Sequence, residues 1–295
     1  MATADRHAKV WLDYTQAELD DQYNQRKLVP DADDYMKRHG ELSAKVRASV
    51  EFKLDVPYGP SADEKVDIFP ARNPGAPFVV YYHGGAWTRW HKDNNSYQAP
   101  VYTTAGVTYV PVNFALVPKV TLDELVRQCR AAVAWAWKNA RSFGADPDKL
   151  YVAGHSSGGH IVGLLAVTDW TEWGLPADAI KGACAVSGMY DLEPVKLSSR
   201  NQYLHLDEGM TARNSAMRQI PSRIPPMIVA YGGGEQIEFR RHSQDWCTEL
   251  RRRNLPVTEL DLPGLHHFQM AEQFGDADSA VMKALFAMIG VRPSS

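Results

Sequence analysis

The 295-residue chain has only 3 cysteines, Cys129, Cys184 and Cys247, widely spaced and odd in number. Such a set builds neither a disulfide framework nor a metal-binding pattern, and a reducing cytoplasm is its simplest setting. No charge of one sign dominates, because 32 Lys and Arg stand against 35 Asp and Glu, a formal net charge of −3. That balance implies no nucleic-acid partner and no anionic membrane partner. No apolar run reaches the roughly 18 residues needed to span a membrane. The segment Met1–Lys9 is polar and lacks the apolar stretch of a secretory signal. Internal repeats and low-complexity tracts are missing as well. With 44% hydrophobic and 23% charged residues, the composition is that of a globular chain. Its length suits one α/β domain, 1–295, with a large core.

Strand-like and helix-like segments alternate. Residues 10–27 and 31–47 are expected to be helices, forming an N-terminal helical segment. Val50, Phe52, Leu54 and Val56 alternate within Ser49–Val56, the pattern of a half-buried strand, and Val66–Phe69 gives a second. Phe78–Tyr82 is continuous and apolar, as a central strand is. A helix near 96–105 and a strand over Val107–Val112 follow. Leu125, Cys129, Val133 and Trp137 fall at helical spacing in Leu122–Asn139. Strands are further expected at Lys149–Ala153, Ile180–Val186, Met227–Tyr231 and Val257–Leu262. Helices are expected at Ile161–Val167, Phe239–Arg253 and Ser279–Ile289. Two strands followed by repeated βα units imply a mostly parallel sheet with helices on both faces. Residues 196–220 lack periodicity and are expected to form part of a small cap over the site.

One pentad stands out in this frame: Gly154-His155-Ser156-Ser157-Gly158. Gly and Ser are common, so a lone G-x-S-x-G is weak. Its setting between a buried strand and an apolar helix makes it the nucleophile elbow of an α/β-hydrolase fold. The tight turn strains the central serine, and small residues two before and two after it avoid clashes. Ser156 is then the candidate nucleophile, and the N–H of Ser157 a candidate donor to an oxyanion. A second motif, His83-Gly84-Gly85-Ala86-Trp87, follows the central strand. Adjacent glycines there allow close backbone approach, so N–H groups of Gly84, Gly85 or Ala86 can complete an oxyanion hole. His83 reads as a structural residue, and the elbow turns His155 and His160 away from the serine hydroxyl. Trp87 and Trp90 are expected to wall an apolar pocket, with Trp87 against substrate; core packing is the alternative for Trp90.

His83–Trp87, the elbow, and Tyr23-Asn24-Gln25-Arg26 with Val29-Pro30 together resemble the kynurenine formamidase (arylformamidase) branch of the α/β-hydrolases. That branch is related to the hormone-sensitive-lipase-like carboxylesterases. The resemblance runs over nearly the whole chain. The loop containing Trp87 is fairly specific to the branch, whereas the elbow is generic. The resemblance implies hydrolysis of N-formyl aryl amides and of aryl or short-chain esters, with no metal or cofactor.

On this fold the chain order is Ser, then acid, then His. The base therefore lies in Gly264-Leu265-His266-His267-Phe268, after the strand Val257–Leu262. The family's His-Phe pair matches His267-Phe268, which favours His267 over His266. The acid should follow Met227–Tyr231, where Gly232-Gly233-Gly234 leads to Glu235. The family often has Asp in this segment, so Glu235 departs from it and the glycines must accommodate a longer side chain. Glu238 and Asp191 are the rivals. The expected activity is cleavage of a small-acyl ester or aryl formamide through Ser156, His267 and Glu235 and an acyl-enzyme. General aryl carboxylesterase or carbamate hydrolase activity is the alternative. A non-catalytic binding protein of the same fold would lack the histidine, and an acyl-transferring enzyme would differ only in its acceptor. The partner is a small ester or amide. Oligomeric state stays open, a homodimer included.

Overall fold

The computed structural model describes residues 7–49 and 52–292. The described chain begins with an antiparallel pair, β1 (Lys9–Trp11) and β2 (Tyr14–Thr15), then α1 (Gln16–Gln22) and α2 (Ala32–Ser49). Next come β3 (Lys53–Pro57), β4 (Lys65–Ile68), β5 (Ala76–Tyr82), α3 (Ala99–Thr104), β6 (Thr108–Val112) and α4 (Leu122–Asn139). β7 (Ala145–His155), α5 (Ser157–Ala166) and β8 (Ile180–Val186) precede three short helices, α6 (Glu193–Leu197), α7 (Asn201–Leu204) and α8 (Glu208–Arg213). The chain closes with β9 (Met227–Gly232), α9 (Ile237–Arg252), β10 (Val257–Leu262), α10 (His267–Glu272) and α11 (Ala280–Ile289).

Eight strands form one sheet in the order β10-β9-β8-β7-β5-β6-β4-β3. From β10 to β6 every pairing is parallel, and β4 and β3 add antiparallel pairings at one edge. This is the α/β-hydrolase architecture expected from the alternating segments. The central strand β5 is almost entirely apolar because helices cover both of its faces. Phe78, Val80 and Tyr82 point into one core with residues of α4, α5 and α9, whereas Val79 and Tyr81 point into another with residues of α3 and α11. That split is the two-residue period of a strand.

Local sequence accounts for the helices. In α4, Thr121 caps the first turn by accepting from the N–H of Glu124, and Asp123 and Glu124 complement the helix dipole. Leu122, Leu125, Val126, Cys129, Ala132, Val133 and Ala136 form its buried stripe. One expectation needs correction. Residues 10–27 are not one helix. Leu12 adopts φ 43°, the chain turns back as β1 and β2, and a Thr15–Glu18 capping box starts α1 only at Gln16. Residues 196–220, expected in a cap, contain helical pieces of 3 to 6 residues, too short to show a period. The expected strand Ser49–Val56 includes Val50, which lies outside the described residues; its paired part is β3.

The two central strands and α5 meet at very short range. A Cβ built on Gly158 would lie 2.0 Å from the carbonyl oxygen of Tyr82, a backbone atom that cannot step aside. We expect Gly158→Ala to destabilise the protein by roughly 1–3 kcal/mol or more, the scale of overpacking. The urea midpoint checks it, and a wild-type midpoint would mean that α5 is free to move away from β5.

Candidate active site

Ser156 sits between the end of β7 and the start of α5 with φ 58° and ψ −120°. A non-glycine residue rarely adopts such a conformation, and here the surroundings impose it. Its N–H donates to the carbonyl of Val186 on β8 at 2.9 Å. A Cβ on Gly154 would approach the Gly158 carbonyl oxygen to 2.6 Å, so the turn admits no side chain at either glycine. The hydroxyl reaches a cavity of about 150 Å³ at the carboxyl edge of the sheet.

Three side chains from distant parts of the chain meet there. His267 Nε2 lies 2.9 Å from Ser156 Oγ, and His267 Nδ1 lies 2.5 Å from Glu235 Oε1. The other carboxylate oxygen of Glu235 accepts from Ser187 Oγ at 2.8 Å and from the N–H of Gly232 at 2.7 Å. With Nδ1 donating to the carboxylate, Nε2 is left to accept the serine O–H. Such a chain can move a proton from hydroxyl to imidazole while the carboxylate balances the new charge. Serine, histidine and glutamate are each less than a tenth exposed.

The glycines before Glu235 have a steric task. A Cβ on Gly232 would fall 2.0 Å from the Leu265 carbonyl oxygen, and the N–H of Gly234 donates to that same oxygen at 3.0 Å. The loop carrying His267 therefore lies directly against this turn, and the longer Glu side chain spans the remaining gap. The edge of Phe239, at the start of α9, and the ring of His155 flank the imidazole, with centroids 4.9 and 4.6 Å away.

The other candidates have different partners. Glu238 is fully buried and gives both oxygens to Arg241, at 2.8 and 2.7 Å. Asp191 pairs with Arg218 at 2.9 Å. His266 caps α10 by accepting from the N–H of Gln269, and its Nε2 lies 3.2 Å from the Tyr35 hydroxyl. His83 stacks on Phe114 and donates from Nδ1 to the Gly84 carbonyl. His160 Nδ1 accepts from Trp87 Nε1 at 3.2 Å, and its Nε2 donates to the Asn214 carbonyl at 2.8 Å. Burial pushes both His83 and His160 down to about 4, and pushes His155 well below the usual histidine range.

Gly84, Gly85 and Ala86 line the cavity, and among the described residues nothing accepts their backbone N–H groups. Gly85 has φ +107°, and a Cβ there would lie 2.2 Å from the Arg89 carbonyl oxygen. Ser157 opens α5, so its N–H has no carbonyl one turn earlier to bond. Trp87 corrects the expectation of a substrate contact. It is 1% exposed, outside the cavity lining, and tied to Ser157 Oγ and His160 by its two N–H groups. The Trp87 ring lies in the core, and Trp90 lines the cavity instead. Sequence reading missed Ser187 as the second partner of Glu235; its position just past the end of β8 was the available signal. It also missed that Tyr23–Arg26 and Arg200 wall the cavity. Among the described residues, no group of three or more His, Cys, Asp or Glu could hold a metal ion, and no helix is long and apolar enough to cross a membrane.

A parallel sheet with this constellation at its carboxyl edge defines an α/β-hydrolase. The family model described as BD-FAE matches residues 66–244. A kynurenine formamidase from Danio rerio is 31% identical over 95% of this chain and 98% of its own length. One from Salmo salar is equally similar, 31% over 95% and 98%. Esterase LipQ of Mycobacterium tuberculosis is 27% identical over 72% of this chain and 56% of its own. A crystal structure from Silicibacter sp. tm1040 superposes with a TM-score of 0.79 at 26% identity, covering 92% of this chain and 99% of the other. The Pyrobaculum calidifontis esterase shares the fold, with a TM-score of 0.70 at 17% identity over 91% and 96%. The chain belongs to the kynurenine formamidase-like branch of the α/β-hydrolases, and it is a hydrolase of the esterase and formamidase kind.

The buried neutral histidines make stability depend on pH. In the unfolded chain they titrate near the ordinary value of 6.5, whereas folded His83 and His160 are held down to about 4. The unfolded state thus binds more protons between these values. Their contribution is complete above about 6.5 and is lost as pH falls toward 4, on the order of 3 kcal/mol per histidine. Urea midpoints taken from pH 7 to pH 4.5 should fall, and the slope should be shallower in His160→Gln. Equal slopes in the two proteins would remove His160 from this account.

Proposed function

We propose that this chain is a serine hydrolase in which Ser156 is the nucleophile, His267 the general base and then acid, and Glu235 the orienting carboxylate. The observation that carries the reading is the unbroken chain from Ser156 Oγ through His267 to Glu235, at 2.9 and 2.5 Å, beside a loop of unpaired N–H groups. Ser156 Oγ attacks the carbonyl carbon of an ester or formamide, and His267 Nε2 takes the hydroxyl proton. The negative charge on the carbonyl oxygen is held by N–H groups of Gly84, Gly85 or Ala86 and of Ser157, each donor contributing roughly 3–4 kcal/mol in the transition state. The bond to the leaving alcohol or amine breaks, and His267 returns the proton to it. Water, deprotonated by the same imidazole, cleaves the acyl-enzyme and restores Ser156.

The crowding around the serine supports a small acyl group. Gly84 lies so near that a Cβ on it would sit 3.2 Å from Ser156 Cβ, and His83 and His155 close two further sides. Aromatic lining from Trp90, Tyr81 and Phe268 suits an aryl leaving group. The formamidase relatives at 31% identity support aryl formamides; the esterase relatives support aryl esters as the second reading. We read 1–295 as one domain, with the N-terminal segment 1–47 and residues 196–220 as parts of the cap. The three cysteines, buried and unpaired, suit a reducing cytoplasm.

Ser156→Ala and His267→Ala should each lower kcat by several orders of magnitude on p-nitrophenyl acetate, because such groups act as a unit. Glu235→Gln should lie between these and wild type, and His266→Ala should cost far less. A serine-directed organophosphate should label Ser156; labelling of Ser157, or full activity in the Ser156 variant, would sink the assignment.

Substrate choice gives a separate test. The ratio kcat/KM should fall from p-nitrophenyl acetate through butyrate to decanoate, with no loss on chelation. N-formylkynurenine measured alongside distinguishes the two readings: turnover selects the formamidase, inertness the aryl esterase. A maximum at decanoate contradicts the small acyl pocket.

A further inference from the structure

Helix α10 lines the catalytic cavity with His267, Phe268 and Ala271, and α2 lines it with His39. A second cavity, an outer cleft of about 380 Å³, lies on the far side of the same two helices. Leu42, Tyr97 and Leu265 give the cleft an apolar wall, and Gln269 and Glu272 a polar one. His39 is the one residue that both linings share. Its imidazole therefore stands as the partition between the two spaces.

The partition is pinned on both sides. The His39 ring stacks on Tyr97, with centroids 4.6 Å apart and planes 16° from parallel. Its Nε2 lies 3.3 Å from Glu272 Oε1, and Arg38 pairs with the same carboxylate. Tyr97 is fixed in turn. Its hydroxyl donates to the Ala271 carbonyl at 3.2 Å, and its N–H donates to Ser43 Oγ at 3.1 Å. The Tyr97 ring also rests on the backbone of Gly275, where a Cβ would fall 2.6 Å from it. Two stacked rings held by α2, α10 and the turn after α10 make a wall that keeps its place. Its distance from the chemistry follows from helix geometry. Ala271 stands four residues after His267, on the same helix face and about 6 Å along the axis.

We infer that His39 is a specificity-determining residue: its ring ends the catalytic cavity on the leaving-group side and excludes leaving groups long enough to enter the outer cleft. This rests on the hydrolase reading above. The leaving atom must come within reach of His267 Nε2 to receive its proton, so the leaving group extends along α10 from His267 toward Ala271 and His39. A short aryl group fits in front of the imidazole, and a longer arm meets it. Discrimination here is by clash, not by a contact the preferred substrate makes. With the ring removed, the arm passes between α2 and α10 onto Leu42, Tyr97 and Leu265.

The test compares 4-ethylphenyl acetate with 4-hexylphenyl acetate, which share the acyl group and nearly the same leaving-group acidity and differ in the length of the arm. Wild-type kcat/KM should favour the ethyl ester roughly 10-fold or more, the scale on which a pocket resolves a few methylenes. His39→Ala should raise the hexyl-to-ethyl ratio by a similar factor. His39→Phe, which keeps a ring against Tyr97 but loses the bond to Glu272, should keep the wild-type ratio. Adding Leu42→Trp to His39→Ala, which refills the outer cleft, should lower the ratio again. A merely structural role would slow both esters together and leave the ratio unmoved. Calorimetry on the Ser156→Ala protein, without turnover, should show 4-hexylphenol binding no tighter than 4-ethylphenol despite its larger apolar surface. A wild-type ratio near one, a ratio unmoved in His39→Ala, a His39→Phe protein that behaves like His39→Ala, or a gain that Leu42→Trp leaves intact overturns the inference. Should His39→Ala fail to fold, the wild-type ratio and the calorimetry decide it. If neither ester is cleaved, the hydrolase reading fails, and the calorimetry still reports separately on His39.

Discussion

The rest of the site depends on one steric constraint, the near-contact of three backbones where β5, β7 and α5 converge. Gly158 lies so close to the Tyr82 carbonyl that no Cβ fits between them, and Gly154 lies too close to Gly158 to carry one. The strand cannot pass into the helix by an ordinary turn in that space. Ser156 absorbs the difference by taking φ 58°, and the strain is carried by the packing of a fully buried helix on a buried sheet. The serine hydroxyl is consequently aimed by closely packed backbone. A third glycine, Gly159, continues the same packing toward β8, where a Cβ would meet the Val186 carbonyl at 2.7 Å.

The electrostatic arrangement follows from burial. Glu235 is almost wholly buried, yet its oxygens receive donors from His267, Ser187 and Gly232, which is what a carboxylate needs away from water. Ser187 adopts φ 52° at the end of β8, a second strained residue placed against the same carboxylate. The neighbouring histidines are the reverse case. His83 and His160 are buried without a carboxylate, and each keeps one tautomer through a hydrogen bond to a backbone carbonyl. Four histidines thus crowd one edge of the sheet, and only His267 has both a hydroxyl and a carboxylate as partners.

The cavity is closed by segments that are remote in sequence and tied together by polar contacts. Gln16 donates to the Leu197 carbonyl at 2.9 Å, the N–H of Ser199 donates to Asp20 at 2.6 Å, and Arg200 reaches the Tyr23 carbonyl. The N-terminal segment and the short helices after β8 therefore meet at the same wall. Short helices have little stability of their own, so this wall owes its shape to these ties and to the core beneath it.

Much of this was legible in the residues themselves. Helix α4 and strands β8 and β10 carry the bounds that apolar spacing predicted, because each buries one face or two against the same core. The elbow was legible because its requirement is local, two glycines around a serine between a strand and a helix. Tertiary structure decided the rest. Glu235 was favoured over Glu238, and His267 over His266, from chain order and resemblance; only the fold shows that Glu235 and His267 lie within hydrogen-bond reach of each other and that Glu238 and His266 have different partners. Trp87 and Trp90 share a left-handed backbone, φ 61° and 85°, yet the first ring lies in the core and the second lines the cavity. Ser187 was marked only by its place just past the end of β8, and Arg200 left no pattern of its own, because the Tyr23 carbonyl it meets lies 177 residues away. Spacing along the chain determines which segments bury a face and where a backbone must turn; it does not encode the direction of a side chain across a gap between elements, which exists only once the sheet has brought them together.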